Sequence, residues 1–226
     1  MPLPFRNRAK AGQFLAGKLT AFKNRSDVLV LALPRGGVPV GFEVATAIHA
    51  PLDVFVVRKL GVPGHEKLAF GAIASGGVRV LSEDMIRSVG LSRSRIEAIV
   101  AREQAELERR ERAYRGDRPA PSPSGLHVIL VDDGIATGAT MLAAARALRQ
   151  ENPAEIIVGV PVASPAACDE LQPEVDAIIC AATPEPFDGV GLWYEDFSQT
   201  TDDEVRQLLE KAARQRVSSI AEIANV

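Results

Sequence analysis

Five apolar runs set the rhythm of the chain. Residues 28–33, 52–57, 126–131, 155–163 and 175–181 are rich in Val, Ile, Leu and Ala. Runs of this length without polar alternation suit strands covered on both faces. Helical stretches separate them. Residues 6–22 follow Phe5 and carry Leu15 and Leu19 toward the core. Residues 38–47 and 141–150 predict helices directly after the first and third runs, and a short helix starts at Pro165. Such alternation of strand and helix predicts a mainly parallel sheet with helices on both faces, a three-layer α/β/α architecture.

The pattern changes between the second and third runs. Residues 70–74 and 78–81 flank Ser75-Gly76-Gly77 and predict a β-hairpin. Ser82 caps a short helix that Gly90 ends, and Ser92 caps a long one reaching about Arg115. Ile96, Ile99, Val100 and Leu107 form its apolar face. Glu106/Arg110, Glu108/Arg112 and Glu111/Arg115 are spaced four apart on the other side. A Pro/Ser linker, 117–125, leads into the third run. Thr201 and Glu204 spell a capping box for a last helix. The reading is one domain over 1–226, with an insertion at about 61–125 and a flanking segment at about 182–226.

Composition narrows the classes. The chain has 226 residues, 46% of them hydrophobic but only 5% aromatic, so the core must be aliphatic. A net charge of −3 argues against a general nucleic-acid binder. Two cysteines, Cys168 and Cys180, are too few for a disulfide framework and suit free thiols in a reducing cytosol. No apolar span reaches about 18 residues, so no membrane helix is expected. The expectation is a cytoplasmic protein.

The chemistry concentrates at residues 128–140, Val-Ile-Leu-Val-Asp-Asp-Gly-Ile-Ala-Thr-Gly-Ala-Thr. An apolar strand ends in Asp132 and Asp133. A loop of small residues follows, Gly134, Ile135, Ala136, Thr137, Gly138, Ala139 and Thr140, and then a helix. Free amides and the helix dipole converge at such a junction and favour a phosphate. The paired acids suit sugar hydroxyls, or a metal ion that offsets a polyphosphate. No lysine lies between 128 and 150, which excludes the Walker loop. A second strand-turn-helix junction carries Pro34-Arg35-Gly36-Gly37. Adjacent glycines allow close backbone approach, and Arg35 adds a forked cation for phosphate oxygens.

The Asp-Asp-Gly-x-x-Thr-Gly-x-Thr stretch resembles the ribose-phosphate signature of type I phosphoribosyltransferases. The resemblance implies a phosphoribosyltransferase-like five- to six-stranded sheet, with an inserted hairpin and long helix. It implies a magnesium-dependent transfer of phosphoribose from 5-phosphoribosyl-1-pyrophosphate to a nitrogenous base. On this reading amides from Gly134 to Thr140 hold the 5-phosphate, and Asp132 and Asp133 anchor the ribose hydroxyls. Arg35, Gly36, Gly37 and either Lys59 or Arg58 stabilise the leaving pyrophosphate. Magnesium rides on the diphosphate near Asp132 and Asp133, with no direct protein ligand. A homodimer is common in the family.

The resemblance also makes residues 61–67 part of a mobile lid, with Glu66 and Lys67 as its candidates and His65 as a loop residue. The segment 182–198 holds the chain's single tryptophan. There Phe187, Trp193 and Tyr194 either stack on the acceptor base, with Glu195 or Asp196 reading its polar edge, or pin the loop to the core. Two alternatives stay open: a sensor that binds the sugar diphosphate without turnover, and a hydrolase with water as acceptor.

Overall fold

The computed structural model describes residues 3–224; side chains of residues 66, 67 and 217–224 lie outside the described set. Five parallel strands form the main sheet: β1 (Val28–Ala32), β2 (Leu52–Val54), β6 (His127–Val131), β7 (Glu155–Val162) and β8 (Ala177–Ala182). Their order is β2-β1-β6-β7-β8. Between β2 and β6 lie β3 (Val57–Val62), β4 (His65–Ala74) and β5 (Val78–Leu81), a separate antiparallel sheet. The helices are α1 (Arg8–Ala16), α2 (Gly37–Ile48), α3 (Glu83–Val89), α4 (Arg93–Arg115), α5 (Ala139–Arg149), α6 (Pro165–Leu171) and α7 (Asp202–Ala224).

The alternation of side chains along β1 explains the layers. Leu29, Leu31 and Leu33 face α5, α6 and the antiparallel sheet, in a cluster with Leu130, Met141 and Val158. Val28 and Val30 face α1 and α2, with Leu15, Leu19, Val44 and Ile48. All five β1 residues are buried, so the strand has no solvated face. Each such Val or Leu contributes about 1.5–3 kcal/mol over leaving it exposed.

One expected strand is two. The run at 52–57 breaks after Val54, and Val57 begins β3 in the antiparallel sheet. Arg58 and Lys59 therefore lie inside that sheet, not at the end of a parallel strand. The predicted hairpin exists, with Ala74 paired to Val78, and it has β3 as a third member. This sheet packs on α5, while α4 runs over β3 and β4 to meet α7.

The end of α4 is anchored to β2. Arg115 is buried and donates to Asp53 at 2.9 and 3.0 Å, to Glu111 at 2.8 Å and to the Val54 carbonyl at 2.7 Å. All three predicted Glu/Arg pairs of α4 form. The capping box at α7 is also formed: Glu204 N–H donates to Thr201 Oγ1, and Thr201 N–H to Glu204 Oε2. No helix among the described residues is long and apolar enough to cross a membrane.

Candidate functional site

The register of β1 against β6 builds the site. Ala32 pairs with Val131, and Leu33 N–H donates to the Val131 carbonyl at 2.8 Å. Both strands end side by side, so the loop at 34–37 and the loop at 132–140 emerge together. Open parallel sheets bind ligands at the carboxyl ends of their strands.

The loop after β6 is fixed from below and open above. Ile135 bridges Ala163, its amide donating to Val162 and its carbonyl accepting from Ser164. Ser164 Oγ donates to the Ala136 carbonyl at 2.7 Å. Gly134 lies against Val190 and Val162, with no room for a side chain. Gly138 is the N-cap of α5 at φ 72°, left-handed backbone that glycine adopts without strain. No side chain caps α5, and the amides from Ala136 to Thr140 have no acceptor among the described residues. Thr137 and Thr140 are exposed at its rim. Unpaired donors and the positive end of the α5 dipole together favour an anion at this position.

Two carboxylates stand beside this cup. Asp132 Oδ1 accepts from the Asp133 amide at 2.8 Å. Burial and the neighbouring charge of Asp133 push the Asp132 carboxyl well above the usual carboxylate range, although Arg8 pulls the other way. Arg8 Nε donates to Asp133 Oδ2 at 2.7 Å.

The twin-glycine turn meets the acids directly. A Cβ on Gly36 would stand 2.0 Å from Asp133 Oδ2; one on Gly37 would stand 2.7 Å from the Val131 carbonyl and 2.9 Å from Asp132 Cα. Only glycines let the two loops close to this distance. The Pro34–Arg35 peptide is cis. Arg35 itself reaches α7, its Nη1 3.7 Å from Asp202 Oδ1. The same carboxylate oxygen accepts from the buried Tyr114 hydroxyl at 2.9 Å. Burial and Asp202 push that phenol up to about 12.

The basic pair on β3 is divided. Arg58 donates to Glu103 of α4. Lys59 is exposed and makes no side-chain hydrogen bond or ion pair among the described residues. Adjacent strand residues point to opposite faces, which separates their fates. The expected loop at 61–67 is instead the tip of the β3–β4 hairpin. Only Pro63 and Gly64 turn; Val62 pairs with His65. The side chains of Glu66 and Lys67 lie outside the described residues.

The aromatic segment is tied to the site from behind. Tyr194 is buried, packs on Phe5, and donates its hydroxyl to the Asp133 carbonyl. Burial and the charge of Asp133 raise that phenol. Phe5 and the 193–195 backbone exchange hydrogen bonds of 2.8 Å. Tyr194 thus pins the acidic loop and has little face left for a base. Trp193 is half-buried against Phe187, ring centroids 6.2 Å apart, and its Nε1 is buried with no acceptor among the described residues. Tyr194→Phe is expected to lower stability by about 0.5–1.5 kcal/mol, one lost hydrogen bond. A thermal melt checks it, the corresponding fall being about 2–4 °C per kcal/mol at this size.

Arg8 is the site residue that sequence reasoning missed. Its ion pair spans 125 positions, so no spacing marks it. One local signal exists. Arg8 opens α1, whose first turn has no acid, and a cation at a helix N-terminus opposes the dipole. A locally unfavourable residue is often placed for a distant contact.

A parallel α/β sheet with an anion cup, paired acids and a glycine turn at one end defines a phosphoribosyl transferase domain. The family model of that description matches residues 5–185, and the chain belongs to this family. It is similar to proteins of Mycobacterium tuberculosis strains CDC 1551 / Oshkosh and H37Rv whose phosphoribosyl transferase names are themselves provisional. Identity is 43% over 210 residues, which is 93% of this chain and 47% of each relative. The chain therefore spans about half the length of these relatives. The crystal structure of TT1426 from Thermus thermophilus is similar throughout, with 40% identity and a TM-score of 0.83, covering 92% of this chain and 99% of that one.

Proposed function

We propose that the protein transfers phosphoribose from 5-phosphoribosyl-1-pyrophosphate to a nitrogenous base, with release of pyrophosphate. The observation that carries this reading is the unpaired amide cup at α5, set beside two acids and across from a glycine turn. In it, amides from Gly134 to Thr140 and the threonine hydroxyls bind the 5-phosphate, Ile135 contributing through the loop shape because its own amide is used by Val162. Asp132 and Asp133 accept from the ribose hydroxyls. The Gly36 and Gly37 turn, Arg35 and Lys59 face the diphosphate. Arg58 is held by Glu103 and ranks behind Lys59.

The bond from ribose C1 to the diphosphate oxygen breaks as a base nitrogen bonds to C1. Positive charge builds on the sugar ring beside the acids, and negative charge builds on the leaving group beside the cations. Preorganised charge of this kind is commonly the largest catalytic contribution. The chain offers two carboxylates here, one engaged by Arg8, a set too small to hold magnesium unaided. That donor set fits an ion arriving on the diphosphate with most of its waters. Bound there, magnesium supplies charge neutralisation.

The test mixes protein, magnesium and the sugar diphosphate with a panel of purines, pyrimidines and pyridine acids, and assays pyrophosphate. Release that requires one base is the expected result. Base-independent release makes the protein a hydrolase, and binding without release makes it a sensor. Either outcome overturns the proposal.

A further inference from the structure

Arg8 is held on three sides. Nε donates to Asp133 Oδ2 at 2.7 Å, Nη1 donates to the Ser198 carbonyl at 2.6 Å, and the Phe197 ring lies 4.0 Å from the guanidinium carbon. The side chains of Arg8 and Asp133 are only 11% and 14% exposed. Taking both charges from water is costly, so a fixed geometry is needed to offset it. Asp133 Oδ1 is left without a partner among the described residues.

The arrangement solves a difficulty of the site. Asp132 and Asp133 are adjacent and desolvated, and two such carboxylates repel. Among the described residues, Arg8 is the only hydrogen-bond partner of the Asp133 carboxylate. Arg8 fixes one oxygen, and the Gly36 turn closes against it. The titratable groups around Arg8 are Asp132, Asp133, Asp196 and Tyr194, the last a neutral phenol. Among them only Asp133 is hydrogen-bonded to it.

We propose that Arg8 is a positioning residue that makes the site selective for ribose over 2-deoxyribose, by holding Asp133 so that its second oxygen accepts from the sugar 2-hydroxyl. This rests on the ribose-phosphate reading of the cup. A fixed acceptor distinguishes a sugar that has the hydroxyl from one that lacks it, because a preorganised partner left unpaired carries the full cost.

The test is calorimetry on the whole chain at one pH with four probes. These are 5-phosphoribosyl-1-pyrophosphate with magnesium, ribose 5-phosphate, 2-deoxyribose 5-phosphate, and pyrophosphate with magnesium. The unaltered protein is expected to prefer ribose 5-phosphate over its deoxy form by about tenfold or more, the value of one charge-assisted hydrogen bond. In Arg8→Met and Arg8→Gln the preference should fall below about threefold, while pyrophosphate affinity stays within about twofold, since Asp133 and not the glycine turn has lost its partner. Arg8→Lys, which keeps the cation, should recover most of the affinity for the sugar diphosphate.

Two neutral variants guard against one failing to fold, and Arg8→Gln keeps a donor for the Ser198 carbonyl. Neutral variants that retain the ribose preference overturn the inference. So does a parallel loss of pyrophosphate, which would make Arg8 a general structural or charge residue. An unaltered protein that binds none of the phosphorylated probes overturns the proposed function itself, a result distinguishable from the other two.

Discussion

Asp132→Asn combined with Asp133→Asn is expected to abolish sugar-diphosphate binding without unfolding the chain. Hydrogen bonds to charged acceptors contribute about 1.5–3 kcal/mol each, so two lost together weaken binding by about 100-fold to 10,000-fold. Stability should move little, for opposing reasons. Asp132 has its carboxyl raised by burial and by Asp133, so the folded state binds this proton more tightly than the unfolded state does. Its ionisation therefore removes stability as pH rises from the unfolded carboxylate range through the raised value. An asparagine there escapes that loss, and Asp132→Asn alone should melt at the same or a higher temperature at neutral pH. Asp133→Asn acts oppositely, because it leaves the largely buried Arg8 guanidinium without its hydrogen-bonded anion, at about 1–3 kcal/mol. Calorimetric titration with the magnesium sugar diphosphate, beside thermal melts, checks both parts. Unchanged affinity in the double variant would remove the role given to the acids.

The main sheet was legible because its strands are covered on both faces. Continuous apolar runs such as 28–33 and 126–131 have no competing assignment once helices follow them at regular intervals. Local chemistry also carried through. Ser82 and Ser92 cap α3 and α4, Gly90 ends α3 in the left-handed region, and the Thr201 box opens α7. The run at 52–57 misled because burial continues across a change of sheet. Val54, Phe55 and Val56 are all buried, so hydropathy does not mark the break. The hairpin tip misled in the opposite sense. Glycine and proline density at 61–64 suggested a loop, but one two-residue turn absorbs it and the flanks pair.

The site divides along the same line. Its backbone part, the cup at α5 and the glycine turn, is written in contiguous residues and was readable. Its side-chain part depends on contacts between distant segments. Arg8 meets Asp133 and Ser198, Arg35 meets Asp202, and Arg58 meets Glu103. Charge alone could not say which of Arg58 and Lys59 stays unpaired; the position of α4 decides it. Sequence alone fits Tyr194 equally to a stacking platform or a pin; its hydroxyl on the Asp133 carbonyl decides for the pin.

Gly36→Ala is expected to weaken sugar-diphosphate binding by about 100-fold, from the loss of at least one charge-assisted contact, and to cost no more stability than the Arg8–Asp133 pair it displaces, about 1–3 kcal/mol. Backbone strain is not the reason. Gly36 has φ −61° and ψ −32°, a helical conformation open to alanine, which should if anything favour the fold. The reason is the Asp133 carboxylate, 2.0 Å from where the new methyl would stand. A side chain can rotate away, so the protein folds while the acid leaves its place. Gly37→Ala serves as the contrast. Its methyl would meet the Val131 carbonyl and Asp132 Cα, which are backbone and cannot rotate away, so that variant should lose more melting temperature than Gly36→Ala, as well as affinity. A double-mutant cycle decides the mechanism. If displacement of Asp133 is the whole effect of Gly36→Ala, it should cost nothing further in an Asp133→Ala background, where the collision has gone. Fully additive losses would mean that Gly36 acts on the ligand by its own backbone, independently of the acid.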